Sequence, residues 1–462
     1  MVPPGEWITI SQVFITRLRE QRFPNRNELD QAAHGHPVFF RTGPDGSANT
    51  LALEFNGIDK SFAAAHPDNV MVDPETKEPN GIIRNASAVI KTGGNSGTKK
   101  LSEAESDNLL VKLLRDYNRS GLTGVIDRNC GNPDQAQYQR LLRSEKLSVR
   151  VRLSRGLSPA GNLSDIKETL DKFAADPLFR EPNPRLGIIG IKCFQDGGML
   201  TGSAYFLRPW GISQIYGISD PAYRGMQYID IARMEEMVRL CAERNLAFTA
   251  HCQGDAAVEA LASVYAKVNR DISIQPTRST ITHSSFLNAN AIDLAEQVGF
   301  GIDLQPAWLY LDGRTLVTHF GEERLKYFIP LRTLLEKGIV AGGGSDHMQK
   351  IGSLRSVNPY NPFLGMWVAA TRKARWHEKP VRPEQALSRE QMIRFYTINN
   401  AWLMRMENEI GSLEKGKRAD FVVIDRDILN CAVDEIKETS VHSTWLDGER
   451  VYEVPDGTQP SQ

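Results

Sequence analysis

Long apolar runs are missing from this 462-residue chain. No stretch approaches the roughly 20 apolar residues that a bilayer-spanning helix requires, so no membrane partner is expected. The opening Met1-Val-Pro-Pro-Gly-Glu-Trp7 has neither the basic nor the apolar region of a secretory leader. Charge of one sign is missing too: 55 Lys and Arg stand against 56 Asp and Glu, a net charge of -1. With no basic stripe or acidic tail, nucleic acid is not an expected partner. Cysteine is scarce. The five (Cys130, Cys193, Cys241, Cys252 and Cys431) are scattered and form no Cys-x-x-Cys pair. That argues against a zinc ribbon or a disulfide framework and fits free thiols in a reducing, cytoplasmic compartment. Low-complexity segments and short exact repeats are also absent.

What is present is a recurring unit: a short apolar run that ends in a polar residue. Leu246-Ala-Phe-Thr-Ala-His251 passes through Cys252-Gln-Gly-Asp255 into a helical pattern. Ser279-Thr-Ile-Thr-His283 and Ile339-Val-Ala-Gly-Gly-Gly-Ser-Asp346 repeat the design, and Leu186-Gly-Ile-Ile-Gly-Ile-Lys192 precedes them. His251 and His283 lie 32 residues apart, about one βαβ repeat of roughly 30 residues. Polar residues at the C-terminal ends of parallel strands face one mouth of a barrel, where the chemistry of that fold sits. The four side chains can therefore converge. Two imidazoles, a carboxylate and a lysine point to one or two divalent metal ions, zinc above all.

The expected fold is α/β, a (β/α)8 TIM-like barrel with additions, since the chain exceeds the roughly 250 residues of a minimal barrel. Residues 1–100 read as an irregular α+β region, with a short helix in Ile10 to Arg19, a strand at Pro37 to Arg41, a helix from Asn49, and loop with one hairpin in 68–97. Residues 101–405 alternate strand and helix. Strands are expected at Gly121 to Asp127 and Leu147 to Leu153, then at Lys192 and beyond. Ser102 to Tyr117 is an amphipathic helix, with Ser102 and Glu105 at capping-box spacing. Two aromatic-rich loops, Gly197 to Tyr228 and Asn358 to Trp376, have the length of lids or pocket walls. Residues 406–462 are a small β tail, where Asp447-Gly448 between β-prone runs signals a hairpin. Asp127, Asp196 and His347 are candidates for binding substrate. Each also has a structural reading, most directly His347, because successive strand residues point to opposite faces.

Lys192-Cys-Phe-Gln-Asp196-Gly197, His251-Cys-Gln-Gly254-Asp255, Ile281-Thr-His283, Gly344-Ser-Asp346 and Gly411-Ser-Leu-Glu-Lys-Gly-Lys-Arg-Ala-Asp420 occur in that order. Together they resemble the amidohydrolase superfamily of metal-dependent hydrolases, in its amidohydrolase 3 (YtcJ-like) branch. The resemblance implies a carboxylated lysine at Lys192 bridging two metals, metal-binding histidines at His251 and His283, and an aspartate at Asp346 that binds metal and takes a proton from water. It also implies a C-terminal part of a β-sandwich. The family's first barrel strand ends in His-x-His, and His34-Gly-His36 does not match it. That pair precedes the apolar run from Pro37, at the wrong end of the strand. The chain is expected to begin after the family's first strand, leaving two bare barrel edges, with low solubility and weak activity as the cost.

The implied reaction is hydrolysis of a non-peptide carbon–nitrogen bond in a small molecule (amide, formamide or cyclic ureide). Two alternatives stand beside it: an inactive barrel with a binding or regulatory role, and an isomerase or lyase using Lys192 as an amine nucleophile. A homo-oligomer stays open.

Overall fold

The computed structural model describes residues 3, 5–11, 13–42, 45–67, 69–84, 89–92, 101–347 and 350–455. The chain divides into two compact units at Ser102/Glu103, with Gln214–Gly217 going with the first.

The first unit is a five-stranded sheet in the order β1-β2-β3-β5-β4. The strands are β1 (Ile8–Ile10), β2 (Val38–Thr42), β3 (Asp45–Ala48), β4 (Val70–Val72) and β5 (Pro79–Ile83), with helices α1 (Arg26–Ala32), α2 (Thr50–Phe55) and α3 (Lys60–Ala65). Asn25 caps α1 in a reciprocal box with Glu28, and Asn49 and Asp59 cap the next two helices through their side chains. Ile10 to Arg19 is not the expected helix. It holds only a 3-10 turn at Ile15–Arg17, while β-branched Ile8-Thr-Ile10 pairs in parallel with β2. β4 and β5 form the expected hairpin; residues 68, 85–88 and 93–97 of that stretch lie outside the described residues. His36 sits just ahead of β2, its Nδ1 3.0 Å from Glu6 O.

The second unit is built on seven strands: β6 (Gly124–Cys130), β7 (Arg150–Gly156), β8 (Leu186–Phe194), β9 (Ala247–Cys252), β10 (Thr280–His283), β11 (Gly301–Leu304) and β12 (Ala341–Gly343). Each pairs in parallel with the next, in chain order, so β6 and β12 are the edges. α4 (Glu103–Arg119) precedes them, and between them run α5 (Asn132–Arg143), α6 (Leu163–Ala175), α7 (Pro177–Arg180), α8 (Ile231–Glu243), α9 (Asp255–Asn269), α10 (Ala289–Val298), α11 (Pro306–Arg324) and α12 (Leu331–Glu336). Eight of the nine residues of β8 are buried. Helices cover its outer face, so both faces of the strand are apolar. Leu153, Ile188, Leu141 and Tyr138 belong to one core between sheet and helices.

Three elements depart from expectation. α11 was not expected; its first half is buried nearly all round, which erases the helical polar stripe. The stretch from Asn358 to Trp376 is less a loop than α13 (Pro362–Thr371), again buried on nearly every side. Ser388 to Arg405 is broken at Thr397 into α14 (Arg389–Tyr396) and α15 (Ile398–Leu403). Among the described residues no helix is long and apolar enough to cross a membrane.

That break brings two asparagines to the β12 edge. Asn399 Nδ2 donates to Ala341 O at 2.7 Å, and Asn400 Nδ2 to Gly343 O at 2.9 Å. β12 bonds β11 through Val340 O and Gly344 N, so Ala341 O and Gly343 O are carbonyls on its open side. The edge expected to be bare is thus partly satisfied by side-chain amides. A Cβ on Gly342 would lie 2.2 Å from Asn400 Oδ1, so only glycine admits this approach. Asn400→Leu should lower stability by about 1–3 kcal/mol by leaving Gly343 O unpaired, read from the urea midpoint at constant m-value; an unchanged midpoint would show the edge to be hydrated instead.

The tail is an antiparallel sheet, β13 (Phe421–Ile424), β14 (Val441–Leu446) and β15 (Glu449–Glu453). Asp447 and Gly448 turn its hairpin with φ of 54° and 80°, the paired positive values of the favoured two-residue turn. It is tied to the base of β7. Arg150, fully buried, donates to Asp420 through Nε at 2.6 Å and Nη2 at 2.7 Å, and to Asp447 at 2.6 Å. Asp420, the last residue of the Gly411 motif, therefore clamps tail to barrel.

Candidate active site

Strand register decides what can meet. Lys192 lies beside Thr249, and Phe194 beside His251; Thr282 pairs with His251 on one side and Asp303 on the other. These residues share one face of a parallel sheet at its C-terminal ends. His251 and His283 meet there edge to face, with ring centroids 4.5 Å apart. Phe194 flanks His251 at 5.5 Å, and the Trp308 indole stacks on His283 at 5.0 Å and 27°. The four rings form a row, buried at Trp308 and 44% exposed at Phe194.

Each imidazole has one nitrogen engaged. Gln305 Nε2 faces Asp303 Oδ1 at 3.4 Å, so its Oε1 is the atom 2.8 Å from His283 Nδ1. His283 Nδ1–H donates to it, leaving Nε2 as the lone-pair nitrogen. His251 Nε2 lies 3.3 Å from Gly197 O and donates there, leaving Nδ1. Burial, and then the positive neighbours, hold both rings well below the usual histidine pKa, hence neutral. A neutral ring with its second nitrogen hydrogen-bonded is what a metal ligand needs. His283 has φ of 77° and Ser284 43°, a strained turn for non-glycine residues of the kind that collects at functional sites.

Lys192 is 3% exposed and its Nζ finds no hydrogen-bond acceptor among the described residues. Burial lowers its pKa to about 8; Asp303 and Asp346 pull the other way. An unpaired buried amine at the floor of a site fits a nitrogen that is to be modified or to serve as a donor. Below pH 8 the folded protein holds this ammonium against its burial cost, and the cost fades between pH 8 and 10.5 as the unfolded chain also loses its proton. Lys192→Met in chelator-treated protein should therefore gain on the order of 2 kcal/mol at pH 7, and the gain should shrink across that window. Urea unfolding at pH 7, 9 and 10.5 would show it; a pH-independent difference would mean the amine is paired.

Asp346 follows β12 by three residues, is exposed, and has φ of 52°. Among the described residues no group of three or more His, Cys, Asp or Glu side chains is gathered for a metal ion. The two imidazoles lie together, and the Lys192 amine is close enough for its charge to act on both.

The three candidate substrate contacts fall elsewhere. Asp127 accepts from Tyr138 Oη of α5 at 3.3 Å and from Asn129 N, so it faces the helix layer and not the mouth. Asp196 is 1% exposed; its carboxylate accepts from the backbone N–H groups of Tyr205, Gln253 and Gly254, each at 2.9 Å. It fixes the loops after β8 and β9, and burial raises its pKa to about 7. His347 is wedged between Tyr117 and Tyr360, with Tyr117 Oη on its Nε2. Asp255 likewise fixes a loop by accepting from Leu207 N.

Sequence reading missed Arg128 and Asp303. Arg128 Nη1 donates to Ser154 Oγ at 3.2 Å and pairs at 2.7 Å with Asp303, a residue of β11, far around the sheet from β6. Only a side chain crossing the barrel interior joins those strands. Two-residue alternation put either Asp127 or Arg128 inside, and apolar residues on both faces of β6 hid which.

A parallel sheet that carries two buried imidazoles and a buried lysine at its C-terminal ends has the layout of a barrel-type hydrolase. Two solved structures share the fold: an uncharacterized metal-dependent hydrolase from Pyrococcus furiosus (TM-score 0.61, 20% identity, 92% of this chain and 78% of that one) and another from Pyrococcus horikoshii (TM-score 0.63, 20% identity, 94% and 79%). The chain belongs to the amidohydrolase family (Amidohydro_3), whose profile matches residues 2–452, and is a hydrolase of non-peptide carbon–nitrogen bonds. Its relatives include the N-substituted formamide deformylase of Arthrobacter pascens, 25% identical over 98% of this chain and 80% of that protein. The putative amidohydrolase YtcJ of Bacillus subtilis is 23% identical over 98% and 81%.

Proposed function

We propose that this protein hydrolyses small amides of the N-substituted formamide type, by water attack on the carbonyl at a zinc centre. The observation that carries this reading is the pair of neutral imidazoles, each with its second nitrogen held by an oxygen. His251 through Nδ1 and His283 through Nε2 would hold the ion, and Lys192, carboxylated on Nζ, would add oxygen donors. When bound, the cation supplies Lewis acidity and makes hydroxide available near neutral pH. Asp346 takes the proton from the attacking water and passes it to the leaving nitrogen. Phe194 and Trp308 give the site apolar walls against bulk water.

A second reading is a barrel that binds without turning over. Metal analysis of protein purified with added zinc, alongside hydrolysis of formamides, amides and cyclic ureides, separates the two. The enzyme reading expects bound zinc that is lost in His251→Ala and His283→Ala, together with turnover. Zinc-free wild type, or turnover that survives complete chelation, would overturn it.

A further inference from the structure

We propose that Asn358 is a positioning residue that couples the Asp346 turn to the His283 ring. The argument rests on the roles given above to Asp346 and His283. Asn358 lies twelve residues beyond Asp346 on the connection to α13, and is 2% exposed. Its amide bonds two separate groups through its two ends. Nδ2 donates to the backbone carbonyl of Asp346, and Oδ1 accepts from Trp308 Nε1 at 3.1 Å. Trp308 is 4% exposed and stacks on His283.

The same first turn of α11 thus works on His283 twice: Gln305 engages the ring edge and Trp308 its face, three residues apart. Asn358 then carries this support across to Asp346. Its bond to the Asp346 carbonyl falls on a residue whose φ of 52° is uncommon for anything but glycine. Such a backbone persists only where its surroundings hold it. A buried amide bridging two groups through a donor and an acceptor also fixes their separation, since neither bond survives a shift of much more than half an ångström.

The bland alternative is that Asn358 only fills space and satisfies a loop carbonyl. Leucine keeps the branched shape of asparagine, with more bulk, and makes neither bond, so Asn358→Leu separates the two views when read beside Trp308→Phe. Trp308→Phe keeps a ring on His283 but loses the N–H. For zinc-loaded enzyme, positioning predicts that Asn358→Leu lowers kcat by about tenfold or more with KM within about threefold. Trp308→Phe should lower kcat less, and the double variant should be no worse than Asn358→Leu alone, because both changes cut one link. Additive effects, or an unchanged kcat in Asn358→Leu, would overturn the proposal.

Hydrogen–deuterium exchange gives a readout that does not depend on turnover. Trp308→Phe should raise exchange in residues 344–347, across the proposed link, as Asn358→Leu does. Protection unchanged in both variants would sink the coupling even if the hydrolase assignment stands. Raised exchange in both variants of a protein whose wild type proves inactive would keep the coupling and retire the assignment.

Discussion

Asp346→Asn is expected to lower kcat by about 10²- to 10⁴-fold, the range for loss of a positioned general acid–base group, with KM changed little. The substitution keeps the size of the side chain and its turn. It removes the one property that the proposed chemistry uses, a carboxylate that accepts a proton and gives it up. Asp346 stands exposed at the end of β12, close enough for its charge to act on Lys192. Zinc content should be measured on the same samples, since loss of the ion would lower turnover by another route. If kcat stays within about tenfold of wild type with metal retained, the proton is carried elsewhere, and Asp303 becomes the carboxylate to test.

Asp420→Ala is expected to destabilise the protein by about 3–5 kcal/mol, the cost of stripping one partner from a buried charge. Arg150 has no exposed surface, and Asp420 takes two of its N–H groups. Asp447 remains but is itself shared with Arg418 and Arg185. Urea unfolding followed by circular dichroism gives the number. Arg150→Met combined with Asp420→Leu should cost less than Asp420→Ala alone, because the apolar pair leaves no stranded charge. A double variant as unstable as the sum of the singles would point to packing, not to charge, as the source of the loss.

The parallel strand–helix alternation was legible because spacing near one βαβ repeat survives in any sequence of this architecture, whereas Asp346 lies three residues beyond its strand. His251, His283 and Lys192 were found by their position at the ends of apolar runs, and they are the groups that come together. The failures share a cause. Asp127 was read as reaching the mouth while its neighbour Arg128 is the residue that meets Asp303, since apolar Val125 and Ile126 at successive positions remove the alternation that would assign a side. α11 and α13 lacked a polar stripe for the same reason. Asp196 looked like a mouth residue because it follows β8, yet the three backbone N–H groups it serves come from loops that no local pattern places beside it. Gln305, Trp308 and Asn358 gave no signal at all; their roles depend on contacts between α11 and the segment after β12.

The seven parallel strands stand side by side in the order of the chain. Each new strand thus finds its partner already made, and assembly can advance in one direction as the polypeptide leaves the ribosome, without waiting for distant segments. One exception is the Arg150 clamp, which must wait for Asp420, 270 residues later. Until synthesis reaches it, a cation destined for full burial stays hydrated at the base of β7. Release of the finished chain, not growth of the sheet, is then the moment at which the molecule locks.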